Sequence, residues 1–200
     1  MTRVPLVVLL LVAALAGCAS HTTAPLGVSG SIAVLPANNR TGEPLLVQGA
    51  GLIDRYVRKA ERVSVADVLQ SEARAQLKDK GFDVGDWTAQ NAALKGRVPA
   101  SPQEAVELAR GSGITSRILY LEIDRWEADA PTQTRFVIVA LTASLLDATT
   151  GQQIWREHRR ASPVPTPGTI TVETAYVAAV RKVIAEMLAP LRPAPVLQPQ

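Results

Sequence analysis

Cysteine, histidine and aromatic residues are scarce in this chain of 200 residues, which has one cysteine, two histidines and an aromatic content of 4%. A single thiol excludes an intramolecular disulfide and any zinc or iron–sulfur site built on several cysteines. The histidines, His21 and His158, are too few and too far apart in the chain to form a histidine-rich metal site. We therefore expect no metal and no cofactor.

The chain also lacks a large excess of either positive or negative charge. The 21 Lys and Arg residues exceed the 18 Asp and Glu residues by little, and no stripe of alternating aromatic and basic residues is present. This balance argues against a nucleic-acid-binding protein. Apolar residues make up 47% of the chain, so a core can form, and the shortage of aromatic residues predicts that it is aliphatic.

The N-terminal apolar run is too short to cross a membrane. It follows Arg3 and holds about 13 residues, or roughly 20 Å of helix, whereas a hydrocarbon core is about 30 Å thick. The run ends in Leu15-Ala16-Gly17-Cys18, where small residues precede the one thiol of the chain. Such a run is typical of a signal peptide rather than of a retained transmembrane helix.

These four residues resemble the lipobox of bacterial lipoprotein precursors. The resemblance implies cleavage before Cys18, removal of residues 1–17 as a signal peptide, and acylation of the Cys18 thiol with palmitate-type chains. Two or three acyl chains are sufficient for stable anchoring in a membrane. Ala19 follows the cysteine in place of the aspartate associated with inner-membrane retention, which implies an outer-membrane protein that faces the periplasm. An ordinary secretory signal followed by a chance cysteine is the alternative.

The rest of the chain divides into three parts by composition. Residues 18–30 are rich in Ser, Thr, Pro, Gly and Ala, which predicts a lipidated flexible tether. Residues 31–190 carry the regular apolar patterns of one folded domain, and the Pro-rich residues 191–200 predict a disordered tail. There is no internal repeat.

Hydrophobic periodicity and capping residues predict an α/β domain. Strands are expected at residues 31–36, 82–84, 117–126, 135–146 and 153–160, and helices at residues 64–80, 88–95, 101–110 and 171–189. Residues 37–42 and 127–134 are expected to be loops, residues 161–168 a Pro-rich link, and residues 45–63 a short extended excursion. This order predicts a single domain with a mixed β-sheet, a C-terminal three-stranded meander, and helices packed on the sheet.

Three segments carry a resemblance to known envelope lipoproteins: residues 32–42, residues 118–124 and the stretch Leu145-Leu-Asp-Ala-Thr-Thr-Gly-Gln-Gln-Ile-Trp155. They resemble lipoproteins of unknown function related to the curli-secretion-channel lipoprotein. They are also similar to the lipoprotein activators of penicillin-binding proteins and to the N-terminal domain of the Tol periplasmic protein. The resemblance implies a partner-binding α/β domain and supplies no catalytic residues. A membrane pore is not expected, because the strand at residues 135–146 is apolar on both faces.

Two groups of charged residues are candidates for function. Glu122 and Asp124 lie two residues apart on one strand, the carboxylate pairing that glycoside cleavage requires. The favoured alternative is ion pairing across the sheet. The expected partners are Arg135, Arg156 and Arg159.

The second group is the basic cluster Arg156, Arg159 and Arg160. It is a candidate docking site for an anionic partner. The alternative is a charged edge strand that resists pairing with another sheet.

Together these patterns predict a non-enzymatic lipoprotein that assists or regulates an envelope machine for secretion, peptidoglycan synthesis or transport. Its contacts are expected at residues 37–44 and 127–134, since binding concentrates on loops. The expected partners are the membrane and an envelope protein, and self-association is left open. The alternatives are a lipid-binding auxiliary component of an ABC-type transporter and, less favoured, a hydrolase that uses Glu122 and Asp124.

The lipobox gives the first testable prediction. Cys18→Ser removes the thiol that accepts the lipid, so we expect it to abolish metabolic labelling with a palmitate analogue and to leave the uncleaved precursor. Labelled Cys18→Ser protein would contradict the assignment of the anchor.

Overall fold

The fold is described from a computed structural model of the chain, in residues 25–47 and 63–194. The predicted signal peptide, the lipobox with Cys18, and most of the excursion predicted at residues 45–63 lie outside the described residues. None of the helices in the described ranges is long and apolar enough to cross a membrane.

Four helices form where the sequence predicts them. They are α1 (Val65–Asp79), α2 (Trp87–Leu94), α3 (Pro102–Gly111) and α4 (Val172–Met187). Ser64 caps α1 through a capping box with Asp67, in which each side chain bonds the backbone N–H of the other. Gly81, with a φ of +87°, turns the chain after α1 as a left-handed glycine. Local capping chemistry therefore defines these helices.

The main sheet is mixed and has β6 (Arg117–Ala128) at its centre. On one side, β2 (Ile32–Val34) and β3 (Asn38–Asn39) follow one another along β6, and both run parallel to it. On the other side, β7 (Phe136–Asp147) and β8 (Gln153–Pro165) continue the sheet as an antiparallel meander. The predicted α/β class, mixed sheet and three-stranded meander are confirmed.

Helices cover the two faces of this sheet unequally. On the first face, α1 and α4 pack over the alternate apolar residues of β6 and β7, including Leu121, Ile123 and Leu141. On the second face, α3 and Leu94 of α2 cover a smaller group that includes Ile118 and Tyr120. Both-face burial explains why β7 is apolar throughout much of its length.

Three segments differ from the sequence prediction. Residues 37–42, predicted to be a loop, contain β3, because the chain pairs again with β6 after Pro36. Residues 82–84, predicted to be a strand, form one parallel bridge between Val84 and Ile32. β8 continues to Pro165, into the predicted Pro-rich link. A proline, which lacks an N–H, is tolerated on an edge strand where no neighbouring strand needs that donor.

The folded domain is longer than predicted at both ends. β1 (Leu26–Val28), placed in the predicted tether, pairs in parallel with β9 (Leu191–Pro193), placed in the predicted tail. Val28 and Leu191 are buried in the larger core, so this pair is part of the packing. A second short pair joins β4 (Leu46–Val47) to β5 (Val63–Ser64).

The packing of β9 gives a stability prediction. Leu191 is fully buried, so we expect Leu191→Ala to lower the free energy of unfolding by about 2–4 kcal/mol through lost burial and a residual cavity. Ile170→Ala is the control, because Ile170 is 75% exposed and its truncation costs about 0.5 kcal/mol or less. Equal urea midpoints for the two variants would contradict the buried packing of Leu191 and would support the disordered tail predicted from the sequence.

Candidate functional site

The second face of the sheet changes from apolar to polar part-way along β6. Ile118 and Tyr120 belong to the core under α3, whereas Glu122, next on the same face, is a carboxylate. Thr142 of β7 and His158 of β8 continue the row from Glu122, and the Thr142 Oγ1 atom lies 3.0 Å from His158 Nδ1. A polar face therefore begins where the cover of α3 ends.

Arg40 contacts both carboxylates that the sequence analysis singled out. Its Nη1 atom lies 3.6 Å from Glu122 Oε1 and 3.3 Å from Asp124 Oδ1. Glu122 is 5% exposed, whereas the Arg40 side chain is 56% exposed. The guanidinium thus covers a buried carboxylate from the solvent side and supplies the positive charge that a buried carboxylate needs.

The register of β3 places Arg40 at this point. Asn38 lies opposite Glu122 and Asn39 opposite Ile123, and the Arg40 N–H donates to the Ile123 carbonyl at 2.9 Å. The Asn39 side chain then closes the following turn by accepting from Thr41 N–H at 3.1 Å and donating to the Glu43 carbonyl at 2.7 Å. Parallel pairing and an Asx turn therefore fix the position of the guanidinium.

Burial dominates the electrostatics of Glu122. It raises the pKa of this carboxyl above its ordinary value, and the nearby Asp124 charge raises it further. The positive charges of Arg40 and Arg156 oppose this shift and favour the ionised form. Glu122 is therefore a carboxylate enclosed by protein and stabilised by two arginines.

Ion pairing of Glu122 and Asp124 is confirmed, with Arg40 within salt-bridge distance of both. Of the three predicted partners, Arg156 acts electrostatically on Glu122, whereas the other two pair elsewhere. Arg135 pairs with Asp129, with its Nε atom 3.3 Å from Oδ2, and Arg159 pairs with Glu186 of α4 at 2.7 Å. Arg159 does not face Glu122, because alternation along β8 places it on the opposite face of the sheet from Arg156. The contacts of Glu122 and Asp124 fit structural ion pairing better than a catalytic acid pair.

The same alternation divides the predicted basic cluster. Arg156 lies opposite Ser144 on the polar face and acts electrostatically on Glu122, while Arg159 lies opposite Leu141 and pairs with α4. Arg160 is exposed beside a β-bulge in β8. The three arginines therefore do not form one patch, and a docking role for them remains a prediction.

Tyr120 attaches a connecting segment to the start of the polar face. Its hydroxyl donates to the Pro99 carbonyl at 2.9 Å, and Asn38 Nδ2 donates to the Ala100 carbonyl at 3.2 Å. Burial, with a contribution from the Glu122 charge, raises the pKa of Tyr120 to about 12. Tyr120 is therefore a neutral hydrogen-bond donor across the physiological pH range.

A depression of about 200 Å³ lies at the C-terminal end of β6, beside the first of the two loops predicted to make contacts. It is lined by Thr41, Glu43, Leu45, Asp124, Arg125, Trp126 and Glu127. Thr41 and Glu43 of the first predicted loop thus share one concave surface with Asp124. Glu127, the first residue of the range predicted as the second loop, also lines it, and the structure places this residue in β6.

An aromatic pair lies beside this depression. Trp126 of β6 and Tyr176 of α4 make an edge-to-face contact, with ring centroids 6.3 Å apart. Burial raises the pKa of Tyr176, and the charges of Glu43, Glu127 and Glu173 raise it further against a hydrogen bond with the backbone of Ala128. Carboxylates from three separate elements therefore act electrostatically on one tyrosine.

The second loop is held rigidly against the sheet. The backbone N–H groups of Arg135 and Phe136 donate to Asp129 Oδ1 at 2.9 and 3.3 Å, which closes the loop at its base. The carbonyl of Thr134 accepts from the hydroxyls of Thr166 and Thr169 at 3.2 and 2.9 Å. A loop fixed in this way loses little conformational entropy when it binds a partner.

We refer to this end of the domain as the acidic end, and define it by Glu43, Asp124, Glu127 and Glu173 around Trp126 and Tyr176. Sequence analysis missed Arg40, Trp126 and Tyr176 as members of this site. Arg40 gave no signal because its position depends on the β3 register, and the aromatic pair joins residues 50 positions apart by number. Of this site, the sequence revealed only the two-residue spacing of Glu122 and Asp124.

The described residues offer little for other chemistry. In residues 25–47 and 63–194, no group of three or more His, Cys, Asp or Glu side chains is arranged to hold a metal ion. Two further depressions, of about 280 and 330 Å³, have charged or amide side chains in their walls, such as Arg110 and Lys78. Neither provides the apolar cavity that the lipid-binding alternative requires.

The structure thus defines a single α/β domain with a mixed sheet whose second face changes from apolar to polar side chains beyond Tyr120. No family model matches the chain. No curated protein matches it. Solved structures with this fold include the PelC dodecamer from Paraburkholderia phytofirmans, whose subunit is 18% identical with a TM-score of 0.50, over 86% of this chain and 95% of that one.

Two other solved structures are also similar to this chain. Lipoprotein GNA1162 from Neisseria meningitidis is 19% identical with a TM-score of 0.45, over 78% of this chain and 99% of that one. LpoB from E. coli is 19% identical with a TM-score of 0.41, over 70% of this chain and 60% of that one. The predicted resemblance to this group of proteins is confirmed at the level of the fold.

The buried carboxylate gives a pH prediction. Because the pKa of Glu122 is raised in the folded state, the folded protein loses stability as pH rises from about 4.5 through the folded pKa. We expect Glu122→Gln to remove this fall and to keep or raise Tm at pH 7, measured by circular dichroism from pH 4 to 8.

Glu127→Gln is the matched control, since Glu127 is exposed on the same strand and the pKa of its carboxyl is lowered by Arg125. It should leave the fall above pH 4.5 in place. An unchanged pH profile in Glu122→Gln would contradict the burial argument.

Proposed function

We propose that this protein is an outer-membrane-anchored periplasmic lipoprotein that binds an envelope protein through the acidic end and acts as its non-enzymatic accessory or regulator. The observation that carries the proposal is the concave surface that Thr41 and Glu43 of the first loop share with the C-terminal end of β6. The partner belongs to a machine for secretion, peptidoglycan synthesis or transport.

The position of this surface relative to the anchor supports the proposal. Arg117, the first residue of β6, donates from its side chain to Ser29, which follows β1. From Arg117 to Glu127 the strand extends about 33 Å, at about 3.3 Å per residue. The tether therefore joins the domain near one end of β6, and the acidic end lies near the other.

The tether length sets how far the domain stands from the membrane. The composition of residues 18–25 predicts a flexible tether between Cys18 and β1, and a flexible chain of eight residues has a root-mean-square span of about 16 Å. Acylation at Cys18 thus keeps the tethered end close to the bilayer. The acidic end lies at the opposite end of β6 from this attachment, so a partner domain in the periplasm can reach it.

The contacts of the two carboxylates support an accessory role over hydrolysis. A general acid and base must reach the bond that is cleaved, whereas Glu122 is buried and both carboxylates contact Arg40. This arrangement serves the structure of the binding surface. It leaves recognition to the surrounding loops.

The proposal predicts where a partner is captured in cells. We expect p-benzoylphenylalanine placed at exposed Pro44 or Pro131, one in each loop, to crosslink the full-length lipoprotein to the same envelope protein. The control positions are Gln103 and Glu107, which are exposed on α3 away from the loops. Adducts would be separated by gel electrophoresis and identified by mass spectrometry.

Crosslinking confined to Gln103 and Glu107 would contradict the assigned surface. Adducts with only a second copy of the chain at Pro44 and Pro131 would replace the accessory role by self-association.

A further inference from the structure

Several elements meet at the end of the domain that lies opposite the acidic end. β1, where the predicted tether ends, pairs with β9 so that Gly27 lies opposite Arg192. In β2, Ile32 lies opposite Arg117, the first residue of β6, and its N–H donates to the Asp83 carbonyl at 2.8 Å. The tether, the start of β6 and the chain that follows α1 therefore share one end of the domain.

Two cations without a carboxylate partner lie beside each other at this end. Lys80 follows the last residue of α1, and burial lowers its pKa, which the Arg192 charge lowers further. Among the described residues, neither side chain forms a salt bridge. Arg192 instead donates from Nη1 to the carbonyls of Ala189 and Leu191 at 2.6 and 3.0 Å. Two neighbouring positive charges of this kind are stabilised by an anion from outside the domain.

An exposed indole is fixed close to these cations. Trp87, the first residue of α2, is 40% exposed, and the guanidinium carbon of Arg74 lies 5.5 Å from the centroid of its ring. Arg74 is held in turn by hydrogen bonds from Nη1 to Gln90 Oε1 at 2.9 Å and from Nη2 to the Gly85 carbonyl at 2.6 Å. Tryptophan is enriched where proteins meet the headgroup region of a membrane, because its ring is apolar and its N–H is polar.

A depression of about 330 Å³ connects the indole with the end of α1. Arg74, Lys78, Asp86 and Trp87 are among the residues that line it. The Asp86 carboxylate accepts from the Ala89 N–H at 2.8 Å and caps α2, and its charge acts on Arg74. Lys78 is exposed and forms no salt bridge within the described residues. The exposed charge without a partner beside the indole is therefore positive.

The sign of the charge differs between the two ends of the domain. We refer to the end beside the tether as the tethered end, and define it by Lys78, Lys80, Trp87 and Arg192. Its three cations exceed the two exposed aspartates of the same segments, Asp79 and Asp83. Since the acidic end has the opposite sign, a negatively charged surface favours the orientation in which the tethered end faces it.

We propose that the tethered end binds the surface of the anchoring membrane, with Lys80 and Arg192 at the phosphates of anionic phospholipids and Trp87 in the headgroup region. A tether with a span of about 16 Å keeps these side chains near the bilayer, so a weak contact is sufficient. This contact orients the domain and directs the acidic end away from the membrane. The inference rests on the proposed function, since it requires the anchor at Cys18.

The test uses the full-length lipoprotein reconstituted into two kinds of vesicle that differ in negative charge. One contains brominated phosphatidylcholine alone, and the other contains brominated phosphatidylcholine and phosphatidylglycerol at about 7:3. Bromine quenches tryptophan fluorescence at short range, so the emission lost relative to vesicles without bromine reports an indole at the membrane. Trp126 and Trp155 are buried, which leaves Trp87 as the exposed indole.

We expect quenching to be at least about twofold stronger in the vesicles with phosphatidylglycerol, because the anionic surface attracts the cations of the tethered end. Addition of about 0.5 M NaCl should remove this difference, since salt screens the attraction. Trp87→Phe should remove it as well, which identifies the indole. Equal quenching of the wild-type protein in the two kinds of vesicle would overturn the proposal.

A charge variant with a matched control tests the two cations. Lys80→Gln with Arg192→Gln should abolish the part of the quenching that depends on phosphatidylglycerol. Arg135→Gln with Arg160→Gln removes the same charge at exposed positions away from the tethered end, and should retain that part. An equal loss in both variants would overturn the assigned face.

Flotation of the same vesicles separates this inference from the proposed function. If the protein floats with both kinds of vesicle but quenching is equal, the anchor is correct and the docking face is wrong. If the protein floats only with the vesicles that contain phosphatidylglycerol, the docking face is correct and the anchor is wrong. Protein that floats with neither would contradict both.

Discussion

The structure at the C-terminal end of β6 depends on one contact, the ion pair between the buried Glu122 and Arg40. β6 is the central strand and must be covered on both faces, yet α3 covers its second face only as far as Tyr120. Beyond that point a carboxylate lies in the sheet, and it is stable there only with a positive charge close by. Arg40 supplies this charge and brings β3 and the following loop to the end of β6.

The two faces of the sheet therefore differ in what they contribute to the domain. The face under α1 and α4 contains the larger aliphatic core, and the pairing of β1 with β9 ties both ends of the folded chain to it. The second face carries polar side chains beyond Tyr120. The loop after β3 forms a concave acidic surface with the end of β6 that lies opposite the predicted tether. Similar solved structures confirm the architecture, whereas the function proposed for the acidic end rests on this chain's own residues.

The sequence predicted those parts of the fold that depend on local chemistry. Ser64 with Asp67, and Thr171 with Thr174, cap helices through residues three positions apart, so α1 and α4 were readable. β3, β1 and β9 were missed because two- and three-residue strands have no periodicity and depend on distant partners. The site was readable only in part for the same reason: Glu122 and Asp124 are neighbours in sequence, while Arg40 reaches them through the register of a parallel strand.

The central claim is that Arg40 compensates the buried Glu122, and a double-mutant cycle tests it most directly. Free energies of unfolding at pH 7 would be measured in urea for Arg40→Gln, Glu122→Gln and the double variant. We predict that the loss caused by Arg40→Gln shrinks by about 1 kcal/mol or more once Glu122 is an amide, because the uncompensated charge is gone. Strictly additive effects would contradict the account and would leave Glu122 available for a different role.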